Sequence, residues 1–244
     1  MRGRFLFIFL LVALCMSAFN NCVQPKAGAI HTEALASQVP NNQESCNILP
    51  INLRDPQSID QTVDLINALP KPLSLDCFIK NLKSPLEVVA SDNTISAQPA
   101  GGFDSPRIFI IKGPLILSIV PAGPGKDNLE VSQVTSSGRS VKGDLLFPVT
   151  AEISEDQPYS RIYDSKAVGT DCRFCHSGET AESTGFRGPA FSSMLLEPMP
   201  YSQVQVERIR QFAATCDPNI DSYRCKILKA VVEDGLAIGG SFPK

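Results

Sequence analysis

The sequence predicts an α+β protein: a β-sandwich-like antiparallel domain followed by a small helical region that carries a Cys-x-x-Cys-His segment. Three observations point there. Residues 85–153 hold short β-branched or alternating apolar runs separated by proline- and glycine-rich turns, the pattern of an antiparallel sandwich or small barrel. Helical periodicity is confined to residues 55–69 and 202–235. Nineteen prolines weigh against a mostly helical chain, while 43% hydrophobic residues suffice for a buried core.

The N-terminus reads as an export signal. Arg2 and Arg4 supply positive charge, and Phe5 to Ala18 is almost wholly apolar, too short for an ordinary membrane span. Residues 1–21 are therefore expected to be a signal peptide; the competing reading is a short membrane anchor. Ala18-Phe19-Asn20-Asn21-Cys22 resembles the looser lipoboxes of some bacterial lipoproteins, which implies cleavage before Cys22 and a lipid on that cysteine. The small-x-small run Ala27-Gly28-Ala29 is the other cleavage candidate, farther from the apolar stretch. Either way the chain leaves the cytosol for a periplasm or cell envelope, where disulfides persist. Residues 22–45 are polar and small, a tether in which His31 is expected to be solvated.

Residues 46–154 form the expected β-rich domain with one N-terminal helix. In residues 55–69, Asp55 is placed to cap, Pro56 suits the first turn, and Ile59, Val63, Ile66 and Leu69 make a core stripe ended by Pro70 and Pro72. Strands are expected at 86–89, 107–112, 115–120, 129–134, 141–147 and 149–153, with turns at 121–125 and 136–139. This stretch has no histidine and no evident cluster of carboxylates.

Residues 155–244 form the expected helical region. A polar loop covers 155–171, and a glycine- and proline-containing loop runs from the cysteine-histidine segment to Pro200. Ser202 with Gln205 matches a capping box for a helix lined by Val206, Ile209, Phe212 and Ala213. Asp221 or Ser222 starts a second helix, lined by Ile227, Leu228, Val231 and Val232, with Gly235 as its stop.

The chain has eight cysteines. Cys15 is lost with the leader, Cys22 carries the lipid, and Cys172 and Cys175 are set aside as haem sites. The remaining four allow three pairings, of which the local one, Cys46–Cys77 with Cys216–Cys225, is simplest and leaves no odd thiol.

Cys172-Arg173-Phe174-Cys175-His176 carries the chemistry. Two thiols three positions apart can reach both vinyl groups of one porphyrin, and the adjacent imidazole can bind its iron. Two alternatives stay open: a Cys172–Cys175 disulfide, or a zinc site completed by Cys216 or Cys225. A thioredoxin-like site is disfavoured because no strand-then-helix pattern surrounds Cys172.

At these residues, and loosely over 160–235, the chain resembles c-type cytochromes. The resemblance implies a haem c on Cys172 and Cys175, with His176 as axial ligand and a methionine as second axial ligand. Met199, between Pro198 and Pro200, is the first candidate and Met194 the other. The whole chain also looks like exported proteins of delta-proteobacterial type that pair a β-rich front with a CxxCH tail.

Three functions follow as expectations. The first is a lipid-anchored electron carrier with a redox partner protein. The second is a disulfide-stapled envelope binding or structural module without haem. The third is a haem peroxidase, for which Glu179, Glu182 and Arg187 are the acid-base side chains nearest in sequence. A formal charge of −3 gives no basic footprint for nucleic acid.

Overall fold

The computed structural model describes residues 46–232 and 237–244. The signal peptide, Cys22, the tether with His31, and Gly235 lie outside the described residues.

Helix α1 (Ile59–Ala68) forms where the apolar stripe predicts it, and Ile59, Val63, Leu65 and Ile66 are buried. Its cap is Ser58, whose hydroxyl accepts from the Gln61 amide, rather than Asp55. Asp55 is drawn instead to Lys112 at 2.7 Å and Lys83 at 3.3 Å. Hydrogen bonding by Lys112 holds the Asp55 carboxyl below the usual range. Helix α2 (Leu75–Lys80) follows, and its Cys77 is disulfide-bonded to Cys46. Asn81, fully buried, ends α2. Its side chain accepts from the Leu49 amide at 2.9 Å and donates to the Asn47 and Cys77 carbonyls at 3.1 and 3.0 Å. One amide thus ties residues 47–49 to the helix.

Strands β1 (Glu87–Ser91), β2 (Arg107–Lys112), β3 (Leu115–Ile119), β4 (Asn128–Val134) and β5 (Arg139–Leu146) run as an antiparallel meander. Residues 149–153 do not form a further strand. Val149 makes a single bridge to Leu73, and both backbone groups of Ile153 are bonded to the Asn67 side chain, at 3.0 and 2.9 Å. A side-chain amide stands where a ladder partner was expected.

The rest of the chain adds α3 (Gln157–Ser160), the hairpin β6 (Tyr163–Asp164) and β7 (Gly169–Thr170), β8 (Thr180–Ala181), β9 (Phe191–Met194), β10 (Gln203–Val204), α4 (Val206–Thr215), α5 (Ser222–Val231) and β11 (Ile238–Gly239). Helix α4 starts after Gln205 with no side-chain cap. Ser202, expected in a capping box, lies in a 3-10 turn and bonds Ser91 and the Met199 carbonyl instead. Asp221 caps α5 as the sequence suggests, accepting from the Arg224 amide. Cys216 and Cys225 are joined and pin the α4–α5 hairpin.

The architecture is mixed α+β, but two facing sheets do not form. β1 to β5, β9 and β8 belong to one nine-stranded sheet, and β10 and β11 share the outer edge of β1. One face, from Val88, Ile108, Ile110, Leu117, Leu129, Val131 and Val141, is buried with residues of α1, α2, α4 and α5 in a single cluster. Helices occupy the layer in which the sandwich expectation put a second sheet. That cluster runs from Ile59 to Ala237, so residues on both sides of 154 share one core. α3 packs on β5 where Gly143 lies: a Cβ there would sit 2.9 Å from the Pro158 side chain and carbonyl.

Candidate functional site

The opposite face of the sheet is part apolar and part charged. Val89, Phe109, Ile111, Ile116 and Val134 make a small cluster with Leu195 and Phe242. The register sets Phe109, Ser118, Glu130 and Asp144 side by side, with Ile116, Ser132 and Lys142 in the next row. Arg107 reaches across to Ser118, Ser96 and Glu130. Asp144 accepts from Arg161 at 2.7 Å and Asn128 at 3.0 Å, and burial raises its pKa against the opposing pull of Arg161.

Lys142 lies among these groups. Its ammonium donates to Ser140 and, at 3.4 Å, to Ser132. Burial lowers its pKa to about 8, the acidic groups of Cys172, Glu130 and Glu179 oppose that fall, and Arg107 adds to it. No carboxylate lies within ion-pair distance of Lys142 among the described residues. Opposite Ser140 on β9 is Ser193, 1% exposed, whose hydroxyl has no hydrogen-bond partner among the described residues.

The Cys172–His176 segment meets this face. Thr170 ends β7 and caps a 3-10 turn over Asp171–Phe174, its hydroxyl accepting from the Cys172 amide at 3.2 Å. The Cys172 carbonyl then accepts from the Cys175 and His176 amides at 3.1 and 2.9 Å. This single helical turn sets Cys172 and Cys175 three residues apart, neighbours on a helical surface. Cys172 is half-buried and Cys175 exposed. Arg173 braces the turn by donating to Asp164 and to the Thr170 carbonyl, each at 3.1 Å. Glu179 closes it from the other side, accepting from the Thr170 amide at 2.7 Å and from its hydroxyl. Arg139 holds the following loop through the Gly178 carbonyl and through Ser192.

His176 is half-buried, with Nδ1 3.3 Å from the Met194 carbonyl oxygen of β9. Burial, with the Lys142 ammonium, pushes the imidazole down to about 4, against the opposing effect of the Met194 bond. The ring is therefore neutral at physiological pH. With Nδ1–H donating to the carbonyl, the lone pair lies on Nε2, the form in which a histidine ligates a metal.

Two thiols on one turn and a neutral, oriented imidazole are the donor set that a haem c attachment site requires. The structure brings Cys172, Cys175 and His176 together and adds the Met194 backbone. The Met194 and Met199 side chains are both exposed, at 52% and 56%, and Met199 precedes the 3-10 turn at Pro200–Ser202. The zinc alternative loses its fourth ligand, because Cys216 and Cys225 are bonded to each other. Cys46, Asp76 and Cys77 also cluster, but those two sulfurs form a disulfide and offer no thiolate. Arg187 is not at the site: it pairs with Asp64, Glu155 and Asp60 beside α1.

Lys142, Ser193 and the charged rows beside them are what the sequence reading missed. The polar residues at alternate positions of β3 to β5 were visible in the sequence. Which of them become neighbours depends on strand register, and that emerges only with the sheet. Comparison with protein-family models, with curated proteins and with solved structures gives no match.

Proposed function

We propose that this chain is an exported, lipid-anchored carrier of one covalent haem c that acts in electron transfer with a redox partner protein. The observation that carries the reading is the His176 ring, neutral and held at Nδ1 by the Met194 carbonyl, on the same turn as Cys172 and Cys175. Cys172 and Cys175 are the thioether positions, His176 the axial ligand, and Met199 or Met194 the candidate second ligand. Bound haem supplies one-electron exchange between ferric and ferrous iron. The protein's part is to orient and partly bury the ligand. Thr170, Arg173 and Glu179 fix the turn, the Met194 carbonyl fixes the ring, and Lys142 places positive charge beside both. The disulfides Cys46–Cys77 and Cys216–Cys225 suit the exported location. Attachment to the membrane through Cys22 rests on the lipobox resemblance.

The test is expression of the full chain in a periplasm with haem-attachment machinery, followed by haem staining of a denaturing gel. A stained band at the protein's mass, lost in Cys172→Ala/Cys175→Ala, is the expected result. A folded but unstained band overturns the haem reading and favours a disulfide-stapled envelope module.

A further inference from the structure

Apolar side chains left singly on a surface are ordinary, whereas a contiguous exposed group marks a contact site. Such a group stands at the start of the described residues. Ile48, Ile51 and Leu53 fall within one short turn and are 47%, 56% and 49% exposed. Pro50, between them, is exposed as well, and the 3-10 turn Ile51–Leu53 buries none of its residues.

The turn is nonetheless held firmly on both sides. The Leu53 and Arg54 amides donate to the Pro50 and Ile51 carbonyls at 3.0 and 3.2 Å. The Arg54 side chain donates to the Lys80, Asn81 and Leu82 carbonyls at 3.0, 3.3 and 3.3 Å, and its carbonyl accepts from the Lys83 amide at 2.7 Å. Upstream, Leu49 packs against the core, the Asn81 side chain fastens residues 47–49, and Cys46 is bonded to Cys77. A fold that fixes the backbone around three apolar side chains and leaves those side chains outward presents a surface, not a frayed end. Because the amides of Leu49, Leu53 and Arg54 already have partners, the turn can enter an apolar medium without stranding them.

We infer that the Ile48–Leu53 turn is a membrane-docking surface, seated on the bilayer that holds the lipid at Cys22. The bilayer is the occupant because of where the chain enters the fold. Residues 23–45 lead into Cys46, two residues before Ile48, and span at most about 80 Å even when fully extended. The turn is thus the first exposed apolar part of the fold that the anchored end meets along the chain. Ile48, Ile51 and Leu53 enter the boundary between headgroups and acyl chains, about 5–10 Å deep. A lipid and an apolar contact acting together hold a protein to a surface more tightly than either alone. The anchor itself rests on the proposed function.

The chain has no tryptophan, so a single introduced indole reports without background. The full chain is prepared with Ile51→Trp, and separately with Ile220→Trp in the α4–α5 connection, where Ile220 is 85% exposed. Each is reconstituted in phosphatidylcholine–phosphatidylglycerol vesicles, plain or brominated near the top of the acyl chains. Flotation on a density gradient reports attachment, and fluorescence reports contact. The Ile51→Trp indole is expected to be blue-shifted and quenched by the brominated lipid, the Ile220→Trp indole to be neither, and added Ile48→Ser and Leu53→Ser to reduce the quenching. Chains that float with no more quenching at position 51 than at 220 overturn the docking surface and leave the anchor standing. Chains that do not float refute the anchor; the docking surface then survives only where the position-51 indole is still quenched on mixing with vesicles, and falls where it is not. Shielding of that indole that ignores bromination and rises with protein concentration assigns the turn to a second copy of the chain and overturns the lipid surface.

Discussion

Lys142 should cost the haem-free protein stability at neutral pH, and replacing it with methionine should recover part of that cost. Burial lowers its pKa from 10.5 to about 8. A fall of that size disfavours the folded ammonium by about 3 kcal/mol at pH 7, where it is charged folded and unfolded. Methionine fills a similar volume with no charge, but it deprives Ser132 and Ser140 of their donor, which costs about 1 kcal/mol. The net expectation for Lys142→Met is a gain of about 2 kcal/mol at pH 7. The sign with pH follows from linkage. Between about 8 and 10.5 the unfolded chain binds a proton that the folded chain does not, so native stability rises with pH through that window. The methionine variant lacks this term, so its advantage should vanish near pH 10 and turn into a deficit of up to about 1 kcal/mol at higher pH. Urea denaturation of both haem-free proteins at pH 7 and pH 10 gives the comparison. A variant less stable than native at pH 7, or an advantage that does not change with pH, would refute the reasoning.

Three other perturbations test the frame around the site. Replacing both cysteines of a disulfide by serine should cost about 4 kcal/mol for Cys46–Cys77, with separation 31, and about 3 for Cys216–Cys225, with separation 9, by urea denaturation. Asn81→Ala strands the Leu49 amide and two carbonyls. It should cost about 3 kcal/mol, with faster hydrogen exchange confined first to the Leu49 amide and the end of α2. Glu179→Ala frees both donors of Thr170. Amide exchange at Thr170 to His176 should speed up while the β2–β3 hairpin stays protected.

Much of the fold was legible because it is local. The spacing of Ile59, Val63 and Ile66 fixes a buried helical face whatever that face meets, and β2 to β5 are punctuated by their own turns. What failed to show is what depends on distant partners. Asp55 looks like a cap until Lys112 is brought beside it by the sheet. Val149 to Ile153 looks like a strand until Leu73 and Asn67 take up its backbone groups. A second sheet was expected because the strands are apolar on one side, but the helices supply enough apolar surface to cover that side. The candidate site divides the same way. Cys172, Cys175 and His176 are given by consecutive spacing. The Met194 carbonyl, Lys142 and Ser193 are given by the pairing of β5 with β9, joined by a long excursion through 147–190.

The shared edge of β1 sets a schedule for the chain. Glu87 and Val88 precede their partners Ile238 and Gly239 by 151 residues. The outermost ladder therefore closes only after the intervening residues, including Cys172 and Cys175, have been made. Until then that edge is open. Chains shortened before Ile238 should stay in that unsealed state.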